Sequence, residues 1–282
     1  MNQSFINLHN GVRMPRLGYG VFQVPPHECA VHVANAIEVG YRSFDTAQVY
    51  QNESGVGQAI AESGIPRSEF FITTKIWVSN YGYERAKASI DESLRKLGTD
   101  YIDLMLLHQP YGDVFGAYRA LEEAYREGKL RAIGLSNFYG DRYVDIAHFA
   151  TIKPMVNQME THIFCQQREL QKLMERHDTK LMSWGPFAEG QNDYFRNPVL
   201  LEIGGKYGKT AAQVALRYLF QRDVILIPKT VTPERMAQNA NIFDFSLSPE
   251  DMATLEALDT EKTLICDHRD PALVDYILSL QP

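Results

Sequence analysis

Tyr101-Ile102-Asp103-Leu104-Met105-Leu106-Leu107 is the stretch on which the fold turns. Apart from Asp103 it is an unbroken apolar run, and it stops at His108. A strand with one wet face alternates apolar with polar residues. A continuous run needs cover on both faces, which is the pattern of a parallel sheet wrapped by helices. Its neighbours agree. Upstream, Tyr83–Leu97 reads as an amphipathic helix with Ile90, Leu94 and Leu97 on one face and Gly98 just past its end. Downstream, Val114–Glu127 reads as a helix stopped by Gly128, and Leu130–Leu135 as the next strand.

The alternation continues both ways. Towards the N-terminus, Phe70–Trp77 and Arg42–Asp45 read as strands, with a helix restarting after Glu53. Leu17–Val21 is strand-like, and Cys29–Val39 is a helical run ended by Gly40. Before these, Phe5–Leu8 and Val12–Met14 flank His9-Asn10-Gly11 as a β-hairpin with an Asn-Gly turn. Towards the C-terminus, Met155–Met159, Lys180–Trp184 and Val224–Ile227 are further strands, with helical patterns over Arg168–Arg176, Ala211–Phe220 and Glu234–Asn239. From Leu17 this makes eight strand–helix units with no compositional break. The expectation is one α/β domain over residues 1–282, a closed (β/α)8 TIM barrel with the hairpin closing its bottom. The open doubly wound alternative expects G-x-G-x-x-G after the first strand; Gly55-Val56-Gly57 is the nearest approach and lacks the third glycine.

Bulk properties narrow the function. The net charge of −7 argues against general nucleic-acid binding, because no basic excess exists to displace phosphate counterions. Cys29, Cys165 and Cys266 are odd in number and widely spaced, which disfavours a disulfide framework or a structural zinc site and fits a reducing cytoplasm. No signal-peptide pattern and no apolar run of membrane-spanning length is present, so neither export nor a membrane partner is expected.

In such a barrel, chemistry sits at the C-terminal ends of the strands. Those positions hold Asp45, Lys75, His108, Ser136-Asn137 and Gln158, each polar after an apolar strand. Each also has a plainer use. An Asp at a strand end often caps the next helix, a strand-end Lys often snorkels, and a lone His is often a satisfied core residue. Lys75 tells most, because Ile76 and Trp77 follow it and a buried ammonium is costly unless paired. Asp45 is the available partner, and Tyr50 lies in the loop five residues beyond it.

These residues fall in six segments that occur in one order: G-Y-R-S-F-D-T-A-Q-V-Y-Q-N-E, T-T-K-I-W, Y-I-D-L-M-L-L-H, R-A-I-G-L-S-N-F, V-N-Q-M-E and I-P-K-T-V. Together they resemble the aldo-keto reductases over nearly the whole chain, and most of all the bacterial 2,5-diketogluconate reductase-like branch. The resemblance implies NADPH-dependent reduction of aldehydes and ketones, in a monomer, with a catalytic tetrad of Asp45, Tyr50, Lys75 and His108. It implies cofactor contacts from Gly20, Val21, Phe22 and Asp45, from Ser136, Asn137 and Gln158, and from Trp184, Gly185, Pro186 and Phe187. A basic patch of Lys229, Thr230, Val231 and Arg235, with Gln238 and Asn239, would take the 2′-phosphate of NADPH/NADP+. Phe22, Tyr50, Trp77, His108 and Tyr111 would line the pocket for a small carbonyl substrate, and no metal is implied.

The chemistry of the four residues agrees. A free tyrosine has a pKa of about 10, and a neighbouring Lys75 ammonium is expected to bring it down, so that Tyr50 serves as general acid. Asp45 would keep Lys75 charged, and His108 would donate to the carbonyl oxygen. Three departures from relatives stand out: Gln109 where many carry Trp, Gln51 where many carry Gly, and Thr232 where some carry Arg. The segment after Asp259 is short, so little loop is expected to close over a ligand, and broad specificity follows. Two other readings remain at this point, a Schiff-base aldolase using Lys75 or Lys229 and a non-catalytic NADPH-binding regulatory subunit.

Overall fold

The computed structural model describes residues 4–280. Strands β1 (Phe5–Asn7) and β2 (Arg13–Pro15) pair antiparallel, with Phe5 opposite Pro15. The Gly11 amide donates to the Leu8 carbonyl at 2.8 Å across the turn, and Gly11 holds the positive φ of 86° that this turn requires. Eight strands follow in one parallel sheet ordered as in the chain: β3 (Tyr19–Gly20), β4 (Ser43–Asp45), β5 (Phe71–Ile76), β6 (Leu104–Leu107), β7 (Ile133–Ser136), β8 (Val156–Glu160), β9 (Lys180–Trp184) and β10 (Ile225–Leu226). The ends of the sheet meet. Leu17 forms a parallel bridge with Leu226, the Gly18 amide donates to the Leu226 carbonyl at 2.8 Å, and the Leu226 amide donates to Arg16 at 2.9 Å. The sheet is therefore a closed barrel.

β6 starts after Asp103 rather than at Tyr101, and the reason is that acid. The buried Asp103 carboxylate takes Arg67 and Arg131, both at 2.7 Å, and the Ile72 amide at 2.9 Å. It anchors the strand's entry at the bottom of the barrel. Beyond it, Leu104 and Leu106 face the barrel interior, while Met105 and Leu107 pack under the helices. Both faces of the run are covered, as a parallel sheet needs. The interior cluster also contains Phe71, Val156, Met182 and Ile225, and it is floored by Leu8 and Met14 from the hairpin.

The helix over Tyr83–Leu97 ends with Gly98 in the left-handed region, as its sequence predicts. Four helices escape the periodicity reading: Gly140–Phe149, Pro198–Tyr207, Pro249–Glu256 and Pro271–Ser279. Three of them start at a proline preceded by a capping Asn197, Ser248 or Asp270, whose side chain accepts a first-turn amide. Proline there marks a beginning, not a break. The glycines of Gly55-Val56-Gly57 serve packing. A Cβ on Gly57 would lie 2.3 Å from the Leu97 carbonyl oxygen, and one on Gly55 would lie 2.7 Å from the Cβ of Cys29. Among the described residues, no helix is long and apolar enough to cross a membrane, and no group of acids, histidines and cysteines is arranged to hold a metal.

Candidate active site

A cleft of about 850 Å3 opens at the C-terminal ends of the strands. β4 delivers Asp45, β5 delivers Lys75, and His108 follows the last residue of β6. The short helical turn Gln48–Tyr50 brings the tyrosine back over them. Lys75 is fully buried, and its Nζ donates to Asp45 Oδ1 at 2.6 Å and to the Thr46 carbonyl at 2.9 Å. Tyr50 Oη lies 3.5 Å from the same ammonium. The ring of His108 stands nearly perpendicular to Tyr50, with centroids 5.6 Å apart, and to Trp77, with centroids 5.1 Å apart. Phe22 packs on the other side of Tyr50 at 5.0 Å. Asp45 thus holds Lys75 and caps no helix.

Gln51, next to Tyr50, holds φ 58° in the left-handed region. A residue with a Cβ is strained there, at the turn that carries the phenol.

Burial alone would push the Lys75 ammonium down. The attraction and hydrogen bond of Asp45, with the nearby Tyr50, more than offset this and leave it above its ordinary value. Burial raises Asp45, opposed by Lys75 and by the Gln158 hydrogen bond. His108 is pushed well below its ordinary value by burial, by the Lys75 charge and by His268, so its ring is neutral near pH 7. Its Nδ1 is buried with no partner. Tyr50 corrects the sequence expectation. Lys75 does pull the phenol down, but burial outweighs it and Asp45 adds to the rise, so the net shift is upward. The ammonium limits the cost of ionising a half-buried phenol without making that phenol acidic.

The amide residues form a wall. Gln158 Nε2 donates to Asp45 Oδ2 at 2.8 Å and contacts Met182 Sδ at 3.2 Å. Asn137 accepts from Trp184 Nε1 at 2.9 Å and donates to the His108 carbonyl at 3.1 Å and to Ser136 Oγ at 3.2 Å. Gly20, Phe22, Ser136, Trp184, Gly185, Pro186, Phe187 and Lys229 line the cleft beside them. A Cβ on Gly20 would lie 3.0 Å from the Ile227 carbonyl oxygen, so the strand needs its glycine there.

Several residues expected to contact a ligand fall outside the lining of this cleft. Tyr111 is not part of the cleft wall; its hydroxyl donates to the His268 carbonyl at 2.5 Å. Val21 is fully buried beneath the wall and donates its amide to the Asp45 carbonyl at 3.0 Å. Thr230, Val231, Arg235, Gln238 and Asn239 lie outside the lining. Gln238 borders a separate shallow groove, and Asn239 is buried on the helix Pro233–Ala240. Neither Lys229 nor Arg235 is paired with a carboxylate among the described residues, although both are exposed. Thr232 precedes that helix without a side-chain cap.

The short C-terminal segment also departs from expectation. Ile265, Cys266, His268, Leu273, Tyr276 and Leu280 all line the cleft, and Trp77 Nε1 donates to the Leu280 carbonyl at 3.0 Å. The segment folds back across the mouth, so its length does not leave the mouth open. The signal lay in Asp270-Pro271, a capped helix start.

A closed barrel with a buried Lys-Asp pair beneath a tyrosine, and an amide-lined wall beside them, defines a barrel oxidoreductase. Comparison with known proteins agrees. The family model described as "Aldo/keto reductase family" matches residues 16–260. The chain is 45% identical to glyoxal reductase of Bacillus subtilis (strain 168), covering 91% of this chain and 93% of that protein. It resembles the crystal structure of MGS-M4, an aldo-keto reductase from a Medee basin deep-sea metagenome library, at 40% identity and a TM-score of 0.92, covering 94% and 98% of the two chains. It also resembles a mutant of Gox0644 solved in complex with NADPH, at 35% identity and a TM-score of 0.90, covering 95% and 98%. The chain belongs to the aldo/keto reductase family. It is accordingly an NADP-dependent oxidoreductase that reduces carbonyl groups.

Proposed function

We propose that Asp45, Tyr50, Lys75 and His108 carry this reduction on small aldehydes and α-dicarbonyls. The observation that bears most weight is the fully buried Lys75 held between Asp45 Oδ1 at 2.6 Å and Tyr50 Oη at 3.5 Å. Its charged state is secured by Asp45, and its charge bears on the proton of Tyr50. Such an amine is no Schiff-base nucleophile, because the pairing keeps it protonated. Tyr50 gives its proton to the carbonyl oxygen as general acid, and Lys75 stabilises the phenolate left behind. Neutral His108 has an N–H to offer the same oxygen, orienting it and stabilising the charge that gathers there.

The cleft suits NADPH. Trp184 supplies a flat wall, Ser136, Asn137 and Gln158 supply amide and hydroxyl groups, and Lys229 supplies an unpaired cation for a phosphate. When bound, NADPH supplies the hydride that the carbonyl carbon receives. The α-dicarbonyl class rests on the likeness to glyoxal reductase. We further infer that the chain works as a monomer, as the family resemblance implies, and in a reducing cytoplasm, which the free thiols of Cys29, Cys165 and Cys266 suit. A panel of aldehydes and dicarbonyls, with NADPH consumption followed optically, tests the activity. No turnover of glyoxal or methylglyoxal would remove the substrate assignment, and no turnover of any carbonyl would favour a regulatory subunit.

A further inference from the structure

Glu160, the last residue of β8, is fully buried and is used by none of the steps above. Its Oε1 accepts from the Leu264 amide at 2.6 Å, the Ile265 amide at 3.0 Å and His162 Nε2 at 3.0 Å. Its Oε2 accepts from the Cys266 amide at 3.0 Å. His162 Nδ1 accepts from the Phe164 amide at 3.2 Å, which leaves the ring proton on Nε2, aimed at the carboxylate. Three consecutive backbone amides converging on one carboxylate form an anion nest, here filled by a side chain.

The clamped amides belong to an irregular stretch of chain, so regular secondary structure does not hold it. That stretch is cleft wall. Ile265, Cys266 and His268 line the cavity, and His268 stands edge-on to Trp184 with centroids 6.2 Å apart. Ile265 Cδ1 lies 2.8 Å from where a Cβ on Gly185 would sit. Glu160 makes no hydrogen bond to Asp45, Tyr50, Lys75 or His108. The carboxylate therefore acts on one wall of the cleft and not on the reacting groups.

We propose that Glu160 is a positioning residue: by clamping the amides of residues 264–266 it sets the cleft wall that decides which carbonyl compounds bind. This rests on the reading of the cleft as the carbonyl site. Glu160→Gln keeps the side-chain shape but puts an NH2 against amide donors and loses the charge that orders them.

The test joins two readouts on the full-length protein. Hydrogen exchange followed by mass spectrometry should find the 264–266 amides exchanging at least roughly tenfold faster in E160Q, with β4, β5 and β6 unchanged. Steady-state kinetics should find KM for an aromatic aldehyde raised roughly tenfold, while kcat and KM for glyoxal stay within about twofold, and Glu160→Asp should recover part of the loss. Unchanged protection in E160Q overturns the clamp, and equal losses for both aldehydes overturn the wall. Should E160Q not fold, Ile265→Ala carries the test. It leaves the clamp in place and must still raise KM more for the larger aldehyde, and without that rise the proposal falls. The exchange result does not depend on turnover, so it stands or fails apart from the catalytic reading of the cleft.

Discussion

The two ends of the barrel are built from opposite materials. At the bottom, Leu8 and Met14 of the hairpin close an interior of Phe71, Leu104, Leu106 and Met182, and the buried acid there, Asp103, is matched by two arginines. At the mouth, the same strands end in the buried polar groups Asp45, Lys75, His108, Ser136 and Gln158, and there His108 keeps a ring nitrogen without a partner. A satisfied end contributes stability, and an under-satisfied end is free to bind and react. One strand shows the division by itself. β6 begins at an acid with every oxygen engaged and leads into a histidine whose Nδ1 has no partner.

Variants at the two ends should therefore fail in different ways. The largest effect is expected at the mouth: Tyr50→Phe should cut kcat by about 10²- to 10⁴-fold with NADPH affinity and thermal midpoint near wild type, as read by steady-state kinetics and fluorescence titration. Substantial residual reduction would remove Tyr50 from its role. At the floor, Met14→Ala should cost about 2–5 kcal/mol in urea unfolding while kcat below the transition is unchanged. A floor variant that folds well yet loses turnover would erase the distinction.

Acid should weaken the mouth first. His268 is held down to about 4 from an ordinary 6.5, chiefly by burial. Between those values the unfolded chain takes a proton that the folded chain refuses, so this contribution to stability is intact above 6.5 and declines as pH falls towards 4. The slope is about 1.4 kcal/mol per pH unit, and His108, also depressed, adds in the same direction. Denaturant melts of wild type and His268→Gln between pH 7 and 4 measure it, and parallel curves would contradict it. The smallest effect is expected at the outer edge, where exposed Lys229→Ala should raise KM for NADPH roughly two- to fivefold and leave that for NADH unchanged. Equal KM values for the two cofactors in wild type would refute the basic patch.

The barrel was legible because β6 is apolar on both faces, strand and helix patterns alternate around it, and the catalytic candidates close the strands at one end. Lys75 in F-F-I-T-T-K-I-W announces itself, since nothing but a charged partner keeps an ammonium in such company. The C-terminal wall was not legible in the same way. Its residues follow no period, and what holds them is Glu160, an acid quoted within V-N-Q-M-E whose partners are backbone amides. Backbone donors leave no trace in residue identity. The upward shift of Tyr50 was hidden for a related reason: the sequence names the neighbouring charge, but only the fold reveals that burial outweighs it.

Ring closure at Leu17 and Leu226 has a consequence for biosynthesis. A growing chain presents two bare sheet margins until its last strand emerges, because the first strand finds its final neighbour at the far end of the polypeptide. Chains cut short before Ile225 keep both margins open to strand addition by other copies. They should accumulate as insoluble protein, whereas the completed ring has no margin to offer.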